Sequence, residues 1–238
     1  MQSTPNLGQK AVAELGGTFL FVFVGAGSAV TLGYLASTGS SANLLVVALA
    51  NGLGLAIGIT ATMSISGGHL NPAVTIGILV ARKISVTHAI VYIISQVIGA
   101  TIAGLLLTTV LPTSIGNLAG VSWGAPLIAK ISVGQGIVLE AIMTFLLVFT
   151  VFGTAVDPRA PKVGGFAIGL IVAIDVLVGG PFTGAAMNPA RAIGPEIAGA
   201  YLTGSAPFTN WYVWWIGPII GGIIAALLYA YVLMKSTN

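Results

Sequence analysis

The chain has no cysteine and very little charge, with eight Lys or Arg and five Asp or Glu among 238 residues. Without cysteine there can be no disulfides, thiolate nucleophiles or Cys-based metal sites. Only 5% of residues are charged, against roughly a quarter in soluble domains, which excludes a soluble globular fold. The net charge of +3 comes from dispersed residues that form no basic stripe, so no nucleic-acid partner is implied.

What is present is apolar. Leu15 to Ala81, Ile84 to Ala129 and Ile197 to Met234 contain no charged residue, giving runs of 67, 46 and 38 residues. Each exceeds the roughly 20 residues that cross a bilayer. No water satisfies backbone groups inside the bilayer, so the spans must be helices or a closed barrel, and these runs lack a barrel's polar alternation. The chain reads as an all-α membrane protein whose partners begin with the lipid bilayer. The ten residues before Ala11 are polar; no removable signal peptide is expected, and the first span doubles as the membrane signal.

Gly, Pro and polar clusters divide the chain into six spans near 11–34, 43–63, 85–108, 134–153, 163–178 and 211–234. Two further segments, near 71–81 and 188–199, are about 16 Å long at 1.5 Å per residue and can cross only half a bilayer. With a cytoplasmic N-terminus, Lys10, Arg82, Lys83, Arg159, Lys162 and Lys235 fall inside and Lys130 alone outside. The positive-inside rule then puts both termini in the cytoplasm.

The two halves resemble each other. Glu14-x3-Thr18-Phe19-Leu20 recurs as Glu140-x3-Thr144-Phe145-Leu146, Ser66-Gly67-x3-Asn71-Pro72-Ala73 as Thr183-Gly184-x3-Asn188-Pro189-Ala190, and Gly99-x2-Ile102-Ala103 as Gly221-x2-Ile224-Ala225. Each copy, about 8–110 and about 132–235, holds an odd number of spans. The second must therefore enter the membrane upside down, giving an inverted repeat within a single domain over 1–238. Gly54-x3-Gly58 and Gly165-x3-Gly169 put small residues on one helix face, a signature of close helix packing.

Asn-Pro opens a helix well, with Asn as N-cap and Pro at the first helical position. Inversion brings both half-helix N-termini to the midplane, where Asn71 and Asn188 face one point. A capping Asn uses its side-chain oxygen and leaves its NH2 as a donor, and each helix N-terminus adds about half a positive charge. The non-helical stretches Gly67-Gly68-His69-Leu70 and Gly184-Ala185-Ala186-Met187 can turn carbonyls toward a cavity. Water held at the centre by its oxygen would point its hydrogens outward on both sides. Such a file conducts neutral molecules and interrupts proton hopping.

Paired Asn-Pro-Ala boxes, six spans and a Glu in the first and fourth helices resemble the aquaporin (major intrinsic protein) family over essentially the whole chain. The resemblance implies a passive water channel, a homotetramer with one pore per subunit, no enzyme activity and no cofactor or metal. It also implies an outer selectivity filter of Asn51, Val176, Ala185 and Arg191, in which the lone intramembrane arginine repels cations. Water-specific relatives typically have Phe, His and often Cys at the other three places. The filter here is expected to be wider, tonoplast-like, and open to ammonia.

Glycerol or urea conduction is the alternative within the family, although Ala192 replaces the Asp of glycerol facilitators and Trp214-Trp215 fits the water type. Secondary transport is the alternative from another class. Glu14 and Glu140 are expected to accept N–H groups of the loop before a half-helix. His69 reads as a packed loop residue, His88 as a residue of the cytoplasmic interface and Asp175 as a neutralising or hydrogen-bonding partner. The expected location is the plasma membrane.

Overall fold

The computed structural model describes residues 4–41, 43–118, 120–161, 163–203 and 208–234. Lys162 and Lys235, used above for topology, lie outside the described residues. Among the described residues, six helical spans are long and apolar enough to cross a membrane: α1 Leu7–Ser37, α2 Leu44–Thr62, α4 Val86–Val110, α6 Val133–Val151 together with the turn Phe152–Val156, α7 Gly165–Thr183, and α9 Val213–Leu228 together with the turn Tyr229–Leu233. Two half-length helices, α3 Pro72–Val80 and α8 Pro189–Thr203, follow the Asn-Pro pairs, and α5 Thr113–Gly116 is a single turn in the central connection.

Several elements begin or end where local chemistry dictates. α1 and α6 both open on reciprocal caps, Asn6 with Gln9 and Ser132 with Gln135, which satisfy orphan N–H groups at the helix start. This extends α1 four residues before the expected start. Glu14 and Glu140 thus become the eighth residue of their helices, fully buried rather than exposed at an end. α7 runs past the expected stop at 178 through Gly179-Gly180-Pro181, and closes only where Gly184 takes the left-handed conformation (φ 75°) that glycine adopts freely. α8 is longer than expected, 15 residues, because Pro195 is accommodated inside it.

The helices interlock across the repeat. α1 packs on α4 and α6 on α9, while α2 crosses α7 between the halves. At that crossing a Cβ on Gly52 would meet the Gly169 carbonyl and lie 2.8 Å from Ala173 Cβ, and a Cβ on Gly169 would meet the Gly52 carbonyl. These matched glycines let the two backbones touch. Each half-helix packs chiefly on the last span of the opposite half, α3 on α9 and α8 on α4. The architecture is an inverted repeat of helices, as the internal sequence match requires.

At the end of the molecule nearer Lys10 and Lys83, α6 and α9 finish in π-helical turns, Phe152–Val156 and Tyr229–Leu233. Arg159 staples the two turns, donating to both Asp157 oxygens (2.9 and 2.6 Å) and to the Leu233 carbonyl (2.9 Å). Hydrogen bonds from Arg159 hold the Asp157 carboxyl down at about 2. Its folded-state value is depressed below the usual ~3.9, so any stability it adds is present above that value and disappears only as pH falls toward 2.

Candidate functional site

Two cavities indent the protein from opposite ends, about 330 Å³ on the side of Lys10 and Lys83 and about 410 Å³ on the side of Ala129, here termed inner and outer after the orientation expected from the sequence. Helix periodicity explains their walls. On α2, Val47 lines the outer cavity and Leu55 and Ile59 the inner one; on α7, Ile168 lines the inner and Val176 the outer. Residues four apart share a helix face, so each helix lays one apolar stripe from one cavity toward the other. Asn51 and Val172 occupy the stripe positions between them.

The loops before the half-helices are built alike. Leu70 and Met187 both have positive φ (50° and 51°), as do Gly68 and Ala185 and, one residue earlier, Gly67 and Gly184. Left-handed backbone is unfavourable for Leu, Ala and Met, costing on the order of 1–3 kcal/mol each, and persists only when surroundings impose it. The two buried glutamates impose it. Glu14 accepts from Ser66 Oγ (2.7 Å), His69 N (2.9 Å) and Leu70 N (2.7 Å). Glu140 accepts from Thr183 Oγ1 (2.7 Å), Ala186 N (3.0 Å) and Met187 N (2.7 Å).

A second matched pair had no signal in the repeated motifs. Tyr92 OH donates to the Ser66 carbonyl (2.7 Å) and Trp214 Nε1 to the Thr183 carbonyl (2.9 Å). Tyr and Trp do not align as letters, but each stands seven residues before its paired glycine, Gly99 or Gly221. Equal register was the available clue.

The boxes meet at the centre. Asn71 and Asn188 cap their helices through Oδ1, accepting from Ala73 N (2.8 Å) and Ala190 N (3.0 Å). Their amides are not wholly free donors, which corrects the sequence reading: Asn71 Nδ2 donates to the Met187 carbonyl and Asn188 Nδ2 to the Leu70 carbonyl, both at 2.8 Å. A primary amide carries two N–H bonds. One from each Asn thus locks the loops together, and one remains. Among the described residues, no hydrogen bond takes up the carbonyls of Gly67, Gly68, His69, Gly184, Ala185 or Ala186, and Gly67, Gly68, His69 and Gly184 line the cavities.

Arg191 is buried at the outer cavity, 4% exposed. Its NH1 donates to the Gly124 carbonyl (3.0 Å), supplied by the 118–130 connection, which sequence reasoning did not single out. Gly124 has φ 76°, and a Cβ there would meet the Ala26 backbone, so only glycine lets this turn pass α1 and reach the arginine. Trp123 beside it is fully buried, with Nε1 on Asn117 Oδ1 (2.8 Å).

Of the other three positions expected to form the filter, Val176 lines the outer cavity. Ala185 is buried against Gly179, and Asn51 is turned toward α1. His69 is packed edge-on to Tyr92 with Nδ1 3.2 Å from Thr75 Oγ1. His88 lines the inner cavity and pairs with Ser85 Oγ at 2.8 Å. Asp175 is 2% exposed, and among the described residues its Oδ2 has no hydrogen-bond partner.

Residues 1–229 match the model of the family described as Major intrinsic protein. The chain belongs to that family. It is 42% identical to the probable aquaporin TIP3-2 of Arabidopsis thaliana, over 98% of the chain and 87% of that protein. It is 43% identical to the aquaporin TIP2-2 of Zea mays, over 92% of the chain and 84% of that protein. The fold superposes on the X-ray structure of the aquaglyceroporin from Plasmodium falciparum with a TM-score of 0.84 at 24% identity, covering 96% and 97% of the two chains; that likeness concerns the fold alone. As a member of the aquaporin family the protein is an integral membrane channel for water, passive and not an enzyme. The secondary-transporter alternative is set aside.

Proposed function

We propose that this aquaporin conducts water together with a slightly larger neutral solute, ammonia first, while rejecting protons and cations. The observation that carries the reading is the outer constriction: no aromatic ring stands at Asn51, Val176, Ala185 or Arg191, and the Asn51 side chain is drawn toward α1. Val176 offers an apolar surface to a weakly hydrated molecule, and Arg191 with the loop carbonyls offers polar contacts. In this reading Asn71 and Asn188 bind the central water by its oxygen, and the unpaired carbonyls on either side take its hydrogens. Pro72, Ala73, Pro189 and Ala190 complete the helix starts that hold both Asn in place.

Restoring bulk tests the filter. Asn51→Phe with Val176→His should cut ammonia flux into proteoliposomes at least tenfold while water flux stays within about threefold. Parallel glycerol and urea measurements show whether the wild-type opening is wider still. An ammonia flux unchanged by the double substitution would contradict these wall positions.

The channel is further proposed to be a homotetramer with both termini cytoplasmic. Lys10 and Lys83 mark the inner cavity, and Lys130 lies beside the outer one. In the cysteine-free background, an impermeant thiol reagent added outside cells should label a cysteine at position 130 and none at 83. The reverse pattern would invert the topology. Sedimentation in detergent should return four chains per particle. The TIP-type relatives do not favour the plasma membrane expected from the sequence.

A further inference from the structure

α1 contributes more to the outer half of the channel than the four filter positions suggest. Ala29, Leu32 and Gly33 line the outer cavity, and so does Val47 of α2. Gly25 stands four residues before Ala29, and Asn51 stands four residues after Val47. One helical turn below the cavity wall, the two therefore face each other.

The contact is close and specific. For a Cβ built on Gly25, the three nearest atoms all belong to the Asn51 side chain: Oδ1 in outright overlap, Cγ at 3.1 Å and Nδ2 at 3.6 Å. Asn51 is held in that position by its own helix, Nδ2 donating to the Val47 carbonyl at 2.9 Å, and is 3% exposed. The amide thus occupies the space that any side chain at position 25 would need.

We propose that Gly25 is a specificity-determining residue of this channel: by lacking a side chain it receives the Asn51 amide against α1 and so sets the free width between α2 and α7. The inference rests on Asn51 being a wall of the constriction, as proposed above. A methyl group at position 25 forces the amide to rotate about χ1. In this proposal the displaced amide swings away from α1, toward the passage between α2 and α7. Bulk there hinders a larger solute more than water. Gly25 positions Asn51 and does not itself touch the solute.

A double-substitution cycle provides the test, with water and ammonia permeabilities read in proteoliposomes. Gly25→Ala should lower ammonia permeability at least fivefold and water permeability no more than twofold. In an Asn51→Ala background the same substitution should lower either permeability less than twofold, because no amide remains to be displaced. A purely structural fault at position 25 would depress both solutes together in both backgrounds. If Gly25→Ala prevents membrane insertion, the cycle is read on insertion, which Asn51→Ala should restore.

No change in the ammonia-to-water ratio, or a loss that persists without Asn51, overturns the proposal. If the wild type passes no ammonia, the ammonia reading of the function fails, and the cycle is read on water. Gly25→Ala should then still lower water flux, by up to twofold, and only where Asn51 is present.

Discussion

Arg191→Val should keep water conduction and raise proton or cation leakage at least tenfold. Arg191 is the buried basic residue of the outer cavity. A cation approaching to 4 Å meets roughly 4 kcal/mol of repulsion at an effective dielectric near 20. Since each 1.4 kcal/mol is about tenfold in occupancy, removing the charge lifts a barrier worth up to about three decades. Water does not need the charge, and the central asparagines are untouched. The measurement is dissipation of a pH gradient and of a sodium gradient in proteoliposomes beside osmotic water flux. Unchanged leakage would assign the whole barrier to the paired helix N-termini.

Glu140→Ala should be among the most disruptive single substitutions in the chain. It removes the acceptor of Thr183 Oγ1 and of the Ala186 and Met187 amides. Each buried N–H left without a partner costs about 1–3 kcal/mol, and the left-handed backbone at Ala185 and Met187 (φ 43° and 51°) loses what imposes it. Several kcal/mol of local stability vanish from the loop that carries Asn188 and Arg191. Water flux should fall with thermal stability in detergent, while Glu140→Gln, which keeps one acceptor oxygen, should fall between. Glu14→Ala is the matched experiment, with the added loss of the Gln96 Nε2 contact at 2.8 Å. Wild-type melting and flux in Glu140→Ala would remove the glutamate from its supporting role.

Charge-free runs and paired motifs announce the spans, the half-helices, the inversion and the two glutamates, because these follow from residue type and spacing alone. What the sequence leaves unread depends on contacts between distant segments. Asn71 and Met187 are 116 residues apart, and only folding reveals that each capping amide also ties down the opposite loop. The Gly124 turn carries no motif, and its meaning appears only where Ala26 crowds its α-carbon and Arg191 reaches its carbonyl. Asn51 follows the spacing of a wall residue, yet its side chain is turned against α1, where Gly25 leaves room for it. Helix ends shifted wherever a cap or a tolerated proline overrode hydropathy, as at Asn6 and Pro195.

The most direct measurement places wild-type proteoliposomes, loaded with a pH indicator and a potential-sensitive dye, in an inward ammonium chloride gradient. Neutral ammonia crossing the channel takes up a proton inside, so the lumen should turn alkaline several-fold faster than in protein-free liposomes, with no change in membrane potential. Alkalinisation no faster than in empty liposomes, or an inside-positive potential accompanying it, would contradict a wide, neutral-selective pore guarded by Arg191.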